Sequence, residues 1–121
     1  PQGPGDLGAR MARVMRACAP YPTCVIGADI PGLKKSHIRQ AFAGLGSHSA
    51  VIGPATDGGY WLIGLRHSAR QPVGFLTSVR WSTRWAREDT LASAKEMSWA
   101  ELETLSDVDD LSDLRRLSER D

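Results

Sequence analysis

Two apolar runs dominate the hydropathy pattern. Cys24 to Leu33 reads CVIGADIPGL, and Ala50 to Leu65 reads AVIGPATDGGYWLIGL. Each is interrupted by glycine and proline around one aspartate, Asp29 in the first and Asp57 in the second. Short continuous apolar stretches with β-branched residues predict strands buried on both faces. They fall at Thr23 to Ala28, at Ala50 to Ala55 and, beyond an Asp57-Gly58-Gly59 turn, at Tyr60 to Leu65. Helical spacing flanks them. Leu7, Met11, Val14, Met15 and Cys18 form an i, i+4, i+7, i+8, i+11 stripe; Asp6 is placed to cap that helix, and Pro20 and Pro22 stop it. Lys34 to Leu45 predicts a second helix, packing through Ile38, Phe42 and Leu45 and ended by Gly46. Residues 66–80 read as a loop. Ser82 or Thr83 can cap a third helix running to about Met97. Trp99 to Leu105 reads as a strand, and Leu111, Leu114 and Leu117 give a last helix one apolar side.

This order of elements predicts an α/β fold with a mixed sheet. Three or four strands are few for a three-layer domain, and nothing ahead of the first helix supplies another. A strand-helix-strand unit before Pro1 would complete the sheet. The 121 residues hold one domain at most. No apolar run reaches the roughly 20 residues that span a bilayer, and no secretory pattern is visible, so the expected compartment is the cytoplasm. There Cys18 and Cys24 are expected to be reduced packing residues, too few for a disulfide scaffold.

Charge changes the picture more than composition does. The net charge is +1, yet residues 1–87 hold three acids, Asp6, Asp29 and Asp57, against eleven Lys or Arg, and residues 88–121 hold eleven acids against four bases. Each early acid lies within two residues of a glycine. A cationic face around a few carboxylates suits a phosphorylated substrate with a divalent cation. The same charges also suit solvated helix surfaces through Arg10, Arg13, Arg16, Lys34, Lys35 and Arg39. Nucleic acid is disfavoured as a partner, since no interleaving of aromatics with bases stands out.

Asp29 ends its strand two residues before Pro31, which fixes its own φ and biases Ile30 to extended geometry. An aspartate there can hold Mg²⁺ or Mn²⁺, or simply form the turn. Asp57-Gly58-Gly59-Tyr60 joins a carboxylate, two flexible backbone units and an aromatic. Asp57 can orient or deprotonate an acceptor hydroxyl, or the string can be only a hairpin turn. Leu105-Ser106-Asp107-Val108-Asp109-Asp110 can cap the last helix, or Asp107 or Asp109 can complete a metal site with Asp29. Gln2 to Gly8 is a Gly-rich loop opening a helix, able to take an anion or a base edge. His37, His48 and His67 form no ligand cluster and read as surface residues. Trp81 reads as a core anchor. No Gly-x-Ser-x-Gly elbow supports a hydrolase.

Taken in order, QGPGDLGARM, VIGADIPGL, VIGPATDGGYWLIGL, the RWST segment and LSDVDDLSDL resemble one family. It is the radical-SAM/selenodomain-associated transferase 1 family, also described as arsenosugar-biosynthesis glycosyltransferases, in the GT-A nucleotide-diphospho-sugar transferase superfamily. The GPA-x-DGGY-x-L-x-GL string is its specific part. The resemblance implies a three-layer, Rossmann-like GT-A sheet, mixed and mostly parallel. Residues 1–121 would be the C-terminal part of a single such domain, without the family's N-terminal strand and Gly/Arg/Lys-rich phosphate loop. It implies a metal-dependent glycosyltransferase using a nucleotide sugar and a small-molecule acceptor. Asp29 and Asp109 would hold Mg²⁺ or Mn²⁺. Gln2, Gly5, Asp6, Leu7 and Gly8 would lie near the nucleotide base, with Asp57 as the catalytic residue and Gly58, Gly59 and Tyr60 on the acceptor side. Pro4, Asp110 and Leu111 depart from the family's usual residues. The superfamily also holds a guanylyltransferase acting on 2-phospholactate or phosphoenolpyruvate, so nucleotidyl transfer is the alternative. A non-catalytic binding module is a third reading. Base, sugar, acceptor, stereochemistry and homo-oligomerisation are open at this level.

Overall fold

A computed structural model describes residues 4–27, 30, 32–81, 83–106 and 114–118 of the chain. The elements in order are α1 (Pro4–Arg16), β1 (Thr23–Gly27), α2 (Lys35–Leu45), β2 (Ala50–Pro54), β3 (Tyr60–Leu65), α3 (Ala86–Ser93), β4 (Trp99–Glu101) and β5 (Leu114–Ser118). The five strands form one mixed sheet in the order β4-β2-β3-β1-β5. β3 lies between β2 and β1 and is antiparallel to both, β5 is antiparallel to β1, and β4 is parallel to β2. Strands β1, β2 and β4 therefore share one direction, as expected of this α/β class. The insertion of β3 leaves β2–β4 as the parallel pair among the described strands.

Every residue of β1, β2 and β3 is buried, because both faces are covered. On one face Val25, Ala50, Ile52, Ile63 and Leu65 meet Met11 and Met15 of α1, with Phe75, Leu76 and Ala94 closing the layer. On the other, Cys24, Ile26, Val51 and Leu62 meet Ala41 and Leu45 of α2. Side-chain alternation thus builds two cores from one set of apolar runs. Cys18 and Cys24 are free and buried.

A bulge sharpens the end of β2. Gly53 pairs with Leu62 and Pro54 with Tyr60, so Trp61 is the extra residue. Trp61 and Leu62 consequently both join the α2-side core. The indole lies over Gly53, where an added Cβ would sit 2.6 Å from Nε1. Trp61 Nε1–H donates to the Glu103 carbonyl at 3.0 Å.

Several sequence expectations are corrected. His37, expected on the surface, is 4% exposed; its ring meets Trp61 edge-on at 5.7 Å, and Nδ1 accepts from the Lys34 N–H at 2.9 Å. The buried side of α2 is accordingly His37, Ala41 and Leu45, with Ile38 and Phe42 half-buried. Asp6 lies inside α1 rather than ahead of it, since the helix starts at Pro4, the position a helix tolerates proline best. The third helix is shorter than its expected span from Ser82 or Thr83 to Met97. It stops at Ser93, whose Oγ donates to the Thr90 carbonyl and accepts from the Leu76 N–H, while Trp99 Nε1 donates to the Ala94 carbonyl. The last helix is replaced over Leu114–Ser118 by β5, which pairs with β1 along all five residues. The open edge of β1 offers backbone partners that outweigh a leucine spacing of three.

Candidate functional site

The register brings the ends of β1 and β2 and the starts of β3 and β5 to one sheet edge. β1 and β2 run in the same direction, so Gly27 and Pro54 end at the same side, where Leu114 starts β5 opposite Gly27 and Tyr60 starts β3 opposite Pro54. The start of α1 belongs there as well. An added Cβ on Gly8 would meet the Trp81 ring at 3.2 Å, and that ring lies 6.3 Å from Tyr60. This is the carboxyl edge at which open α/β sheets bind ligands.

Residues 55–59 are built from the backbone outward. The Ala55 N–H donates to the Gly59 carbonyl at 3.0 Å, and the Gly58 N–H to the Ala55 carbonyl at 3.2 Å. Gly58 has φ +93, a region L side chains rarely adopt. A Cβ there would also collide with the Arg84 backbone carbonyl. Asp57 Oδ1 accepts from the Gly59 N–H at 2.9 Å, and Asp57 is exposed. The Thr56 N–H donates to the Leu105 carbonyl at 3.1 Å, and the Arg87 N–H to the Gly58 carbonyl at 3.0 Å. The turn therefore receives a donor from the first turn of α3 and is fixed to the strand system on its other side. Its carboxylate is held at one oxygen and retains further acceptor capacity.

Tyr60 anchors this turn from beneath. It is 4% exposed, and its hydroxyl accepts from Thr90 Oγ1 at 3.0 Å. Burial pushes its phenol well above the usual range, against the smaller opposing effect of the Thr90 hydrogen bond. It is a neutral structural hydroxyl in this setting.

The segment from Arg80 to Arg87 forms the wall beside the turn. Arg80 clasps Asp89 with Nε on Oδ2 at 2.9 Å and Nη2 on Oδ1 at 3.0 Å, and its backbone N–H adds a third bond to Oδ2. The guanidinium hydrogen bonds hold the Asp89 carboxyl down to about 2. Arg87 pairs with Glu101 at 3.1 Å. The guanidinium carbons of Arg80 and Arg84 lie 4.7 and 4.4 Å from the centre of the exposed Trp85 ring. Sequence reasoning missed this cluster, although RWSTRWAR does interleave bases with aromatics.

Of the residues expected in the site, the structure brings together Asp57, Gly58, Gly59 and Tyr60. Gly8 is buried against the Leu76 carbonyl and Trp81, and half-buried Leu7 packs on the α1-side core. Gly5 and Asp6 lie in the first turns of α1. Gln2, Asp29 and Asp109 lie outside the described residues. Among the described residues, no group of three or more His, Cys, Asp or Glu side chains is placed to hold a metal ion, and no helix is long and apolar enough to cross a membrane.

The model of DUF2064, described as an uncharacterized protein conserved in bacteria, matches residues 1–83. The chain belongs to the DUF2064 family. Among solved structures, this DUF2064 chain is similar to the crystal structure of a proposed nucleotide-diphospho-sugar transferase from Desulfovibrio desulfuricans G20. The TM-score is 0.76 at 30% identity, over 90% of this chain and 48% of that one. The DUF2064 chain thus shares a nucleotide-diphospho-sugar transferase fold and spans about half the length of that relative. No curated protein matches it. The family match includes the Asp57 turn and ends just before Arg84 and Trp85.

Proposed function

We propose that this DUF2064 chain carries the acceptor side and the metal-ligating carboxylates of a glycosyltransferase that moves a sugar from a nucleotide-activated donor to a small-molecule acceptor. The observation that carries this reading is the register. Gly27 faces Leu114, and Pro54 faces Tyr60. β1 ends, β5 starts and the Asp57 turn leaves β2 at one edge; in sequence Asp29 follows the last residue of β1 by two positions and Asp109 precedes the first residue of β5 by five. The finer family resemblance, to the radical-SAM/selenodomain-associated transferases, belongs to the same proposal.

Asp57 is the catalytic residue in this scheme. Its carboxylate, steadied by the Gly59 N–H, accepts a hydrogen bond from the acceptor hydroxyl. In an inverting reaction it takes the proton as oxygen attacks the anomeric carbon and the bond to the donor diphosphate breaks. Gly58 and Gly59 keep the turn narrow so that an acceptor can approach, and Tyr60 fixes the turn to α3. Gln2, Gly5 and Asp6 receive the nucleotide at the opening of α1, with Leu7 and Gly8 seating that helix on the core. Asp29 and Asp109 would hold Mg²⁺ or Mn²⁺, and the ion would neutralise charge on the leaving diphosphate. Two carboxylates with substrate phosphates are a donor set suited to either ion.

Product analysis with a panel of nucleotide sugars tests the reaction class. Sugar transfer releases a nucleoside diphosphate, and Asp57→Asn lowers kcat by about 10²–10⁴-fold with a smaller change in donor affinity. Release of pyrophosphate would overturn the reading in favour of nucleotidyl transfer.

A further inference from the structure

We infer that Arg84 and Trp85 form an anion-recognising subsite beside the Asp57 turn, and that it selects an acceptor bearing a carboxylate or phosphate. This inference rests on the proposed sugar transfer for the identity of the ligand as an acceptor. The anion site itself rests on geometry alone.

Three arginines crowd the segment between Arg80 and Arg87, and two are ion-paired with carboxylates, although Arg87 Nε is buried without a hydrogen-bond partner among the described residues. Arg80 is clasped by Asp89, and Arg87 is paired with Glu101. Among the described residues, the Arg84 guanidinium contacts the Trp85 ring and meets no carboxylate. One cation is therefore left for a ligand, and guanidinium is the group that binds carboxylate or phosphate in a two-pronged manner.

The backbone that carries the cation is also held in place. Thr83 Oγ1 donates to the Arg80 carbonyl at 2.6 Å and accepts from the Trp85 N–H at 3.3 Å. The Ala86 N–H donates to the Thr83 carbonyl at 3.2 Å. Trp85 heads α3 and supplies a flat aromatic surface against which Arg84 rests. A pre-ordered arginine loses less entropy on binding than a free one. A second guanidinium over the same ring adds positive potential without being consumed, since Arg80 remains fixed by Asp89.

Location assigns the site to the acceptor. The Arg84 carbonyl fills the space where a Gly58 side chain would be, so the backbone that carries this cation packs against the turn that presents Asp57. The acceptor hydroxyl would be handled by Asp57 while its anionic end is held by Arg84, with its carbon skeleton along Trp85. Two anchored points orient a small flexible molecule better than one.

The test uses the 121-residue chain labelled with ¹⁵N, without nucleotide or metal. The Trp85 indole N–H signal is identified by its loss in Trp85→Phe and followed during titration with phenyl phosphate, benzoate and uncharged phenol. Saturable shifts with the two anions and a far weaker response to phenol are expected. Arg84→Gln should raise the anion Kd by about tenfold or more, and Arg84→Lys should recover part of it. An equal response to phenol, or an unchanged Kd in Arg84→Gln, would overturn the subsite. Saturation by a nucleoside diphosphate in competition with phenyl phosphate would overturn the acceptor assignment. In transfer assays, Arg84→Gln should raise KM for anionic acceptors about tenfold and leave donor KM unchanged. Anion binding without any sugar transfer would defeat the functional reading and leave the anion site standing. Sugar transfer with an Arg84-independent KM for anionic acceptors would do the reverse.

Discussion

Gly58 is constrained both by its backbone angle and by its neighbour, and neither constraint concerns chemistry directly. With φ +93 and the Arg84 carbonyl in the place of a side chain, Gly58→Ala should lower stability by about 2 kcal/mol or more, read as a drop in urea midpoint. Because the same residue joins the turn to α3, the variant should also lose acceptor affinity. Asp89 gives a second prediction. Its pairing with Arg80 holds its carboxyl below the ordinary 3.8, at about 2. A depressed folded value means the stabilising effect is complete above about pH 4. It fades as pH falls towards 2. An NMR titration of the Asp89 side chain should give a midpoint near 2, moving to an ordinary value in Arg80→Gln. At this scale the sequence was legible where chemistry is local. Asp57-Gly58-Gly59 announces a turn, and Tyr60 starts a strand as expected. His37 was misread because its burial depends on Trp61 and Glu103, which are remote in sequence and meet it only after the sheet forms.

Elements whose apolar pattern is intrinsic were readable, and those set by neighbours were not. The three buried strands and the stripe of α1 follow from residue order alone. α3 ends early because Ser93 and Trp99 take its last carbonyls. β5 is a strand because β1 has an edge to fill, and three leucines at helical spacing do not encode that edge. The bulge at Trp61 lies between these cases. Gly53 hints at a close approach, but only the register shows that the indole occupies the space. Gly53→Ala should expel the indole, break its bond to the Glu103 carbonyl and lower stability by about 1–3 kcal/mol. A red-shifted tryptophan emission would accompany the loss, whereas unchanged emission with unchanged stability would show that the bulge tolerates a side chain.

For the whole molecule, the fold is that of a nucleotide-diphospho-sugar transferase frame, and the chain covers about half of the solved structure it resembles. Two apolar runs, each followed in sequence by an aspartate, pointed to a sheet edge, and β1 and β2 do end on one side. What sequence alone did not give was the wall made by Arg80, Arg84 and Trp85, because cation and ring are paired by a loop fold rather than by a periodic pattern. The central claim is that this edge binds a nucleotide sugar through a metal held by Asp29 and Asp109. The direct measurement is calorimetric titration of nucleotide sugars, with and without Mn²⁺, into the chain and into a version extended at its N-terminus, each alongside Asp29→Asn. The account predicts binding that requires Mn²⁺ and weakens at least tenfold in Asp29→Asn. Equal binding with and without the metal, or an Asp29→Asn variant that binds as tightly as its parent, would contradict it.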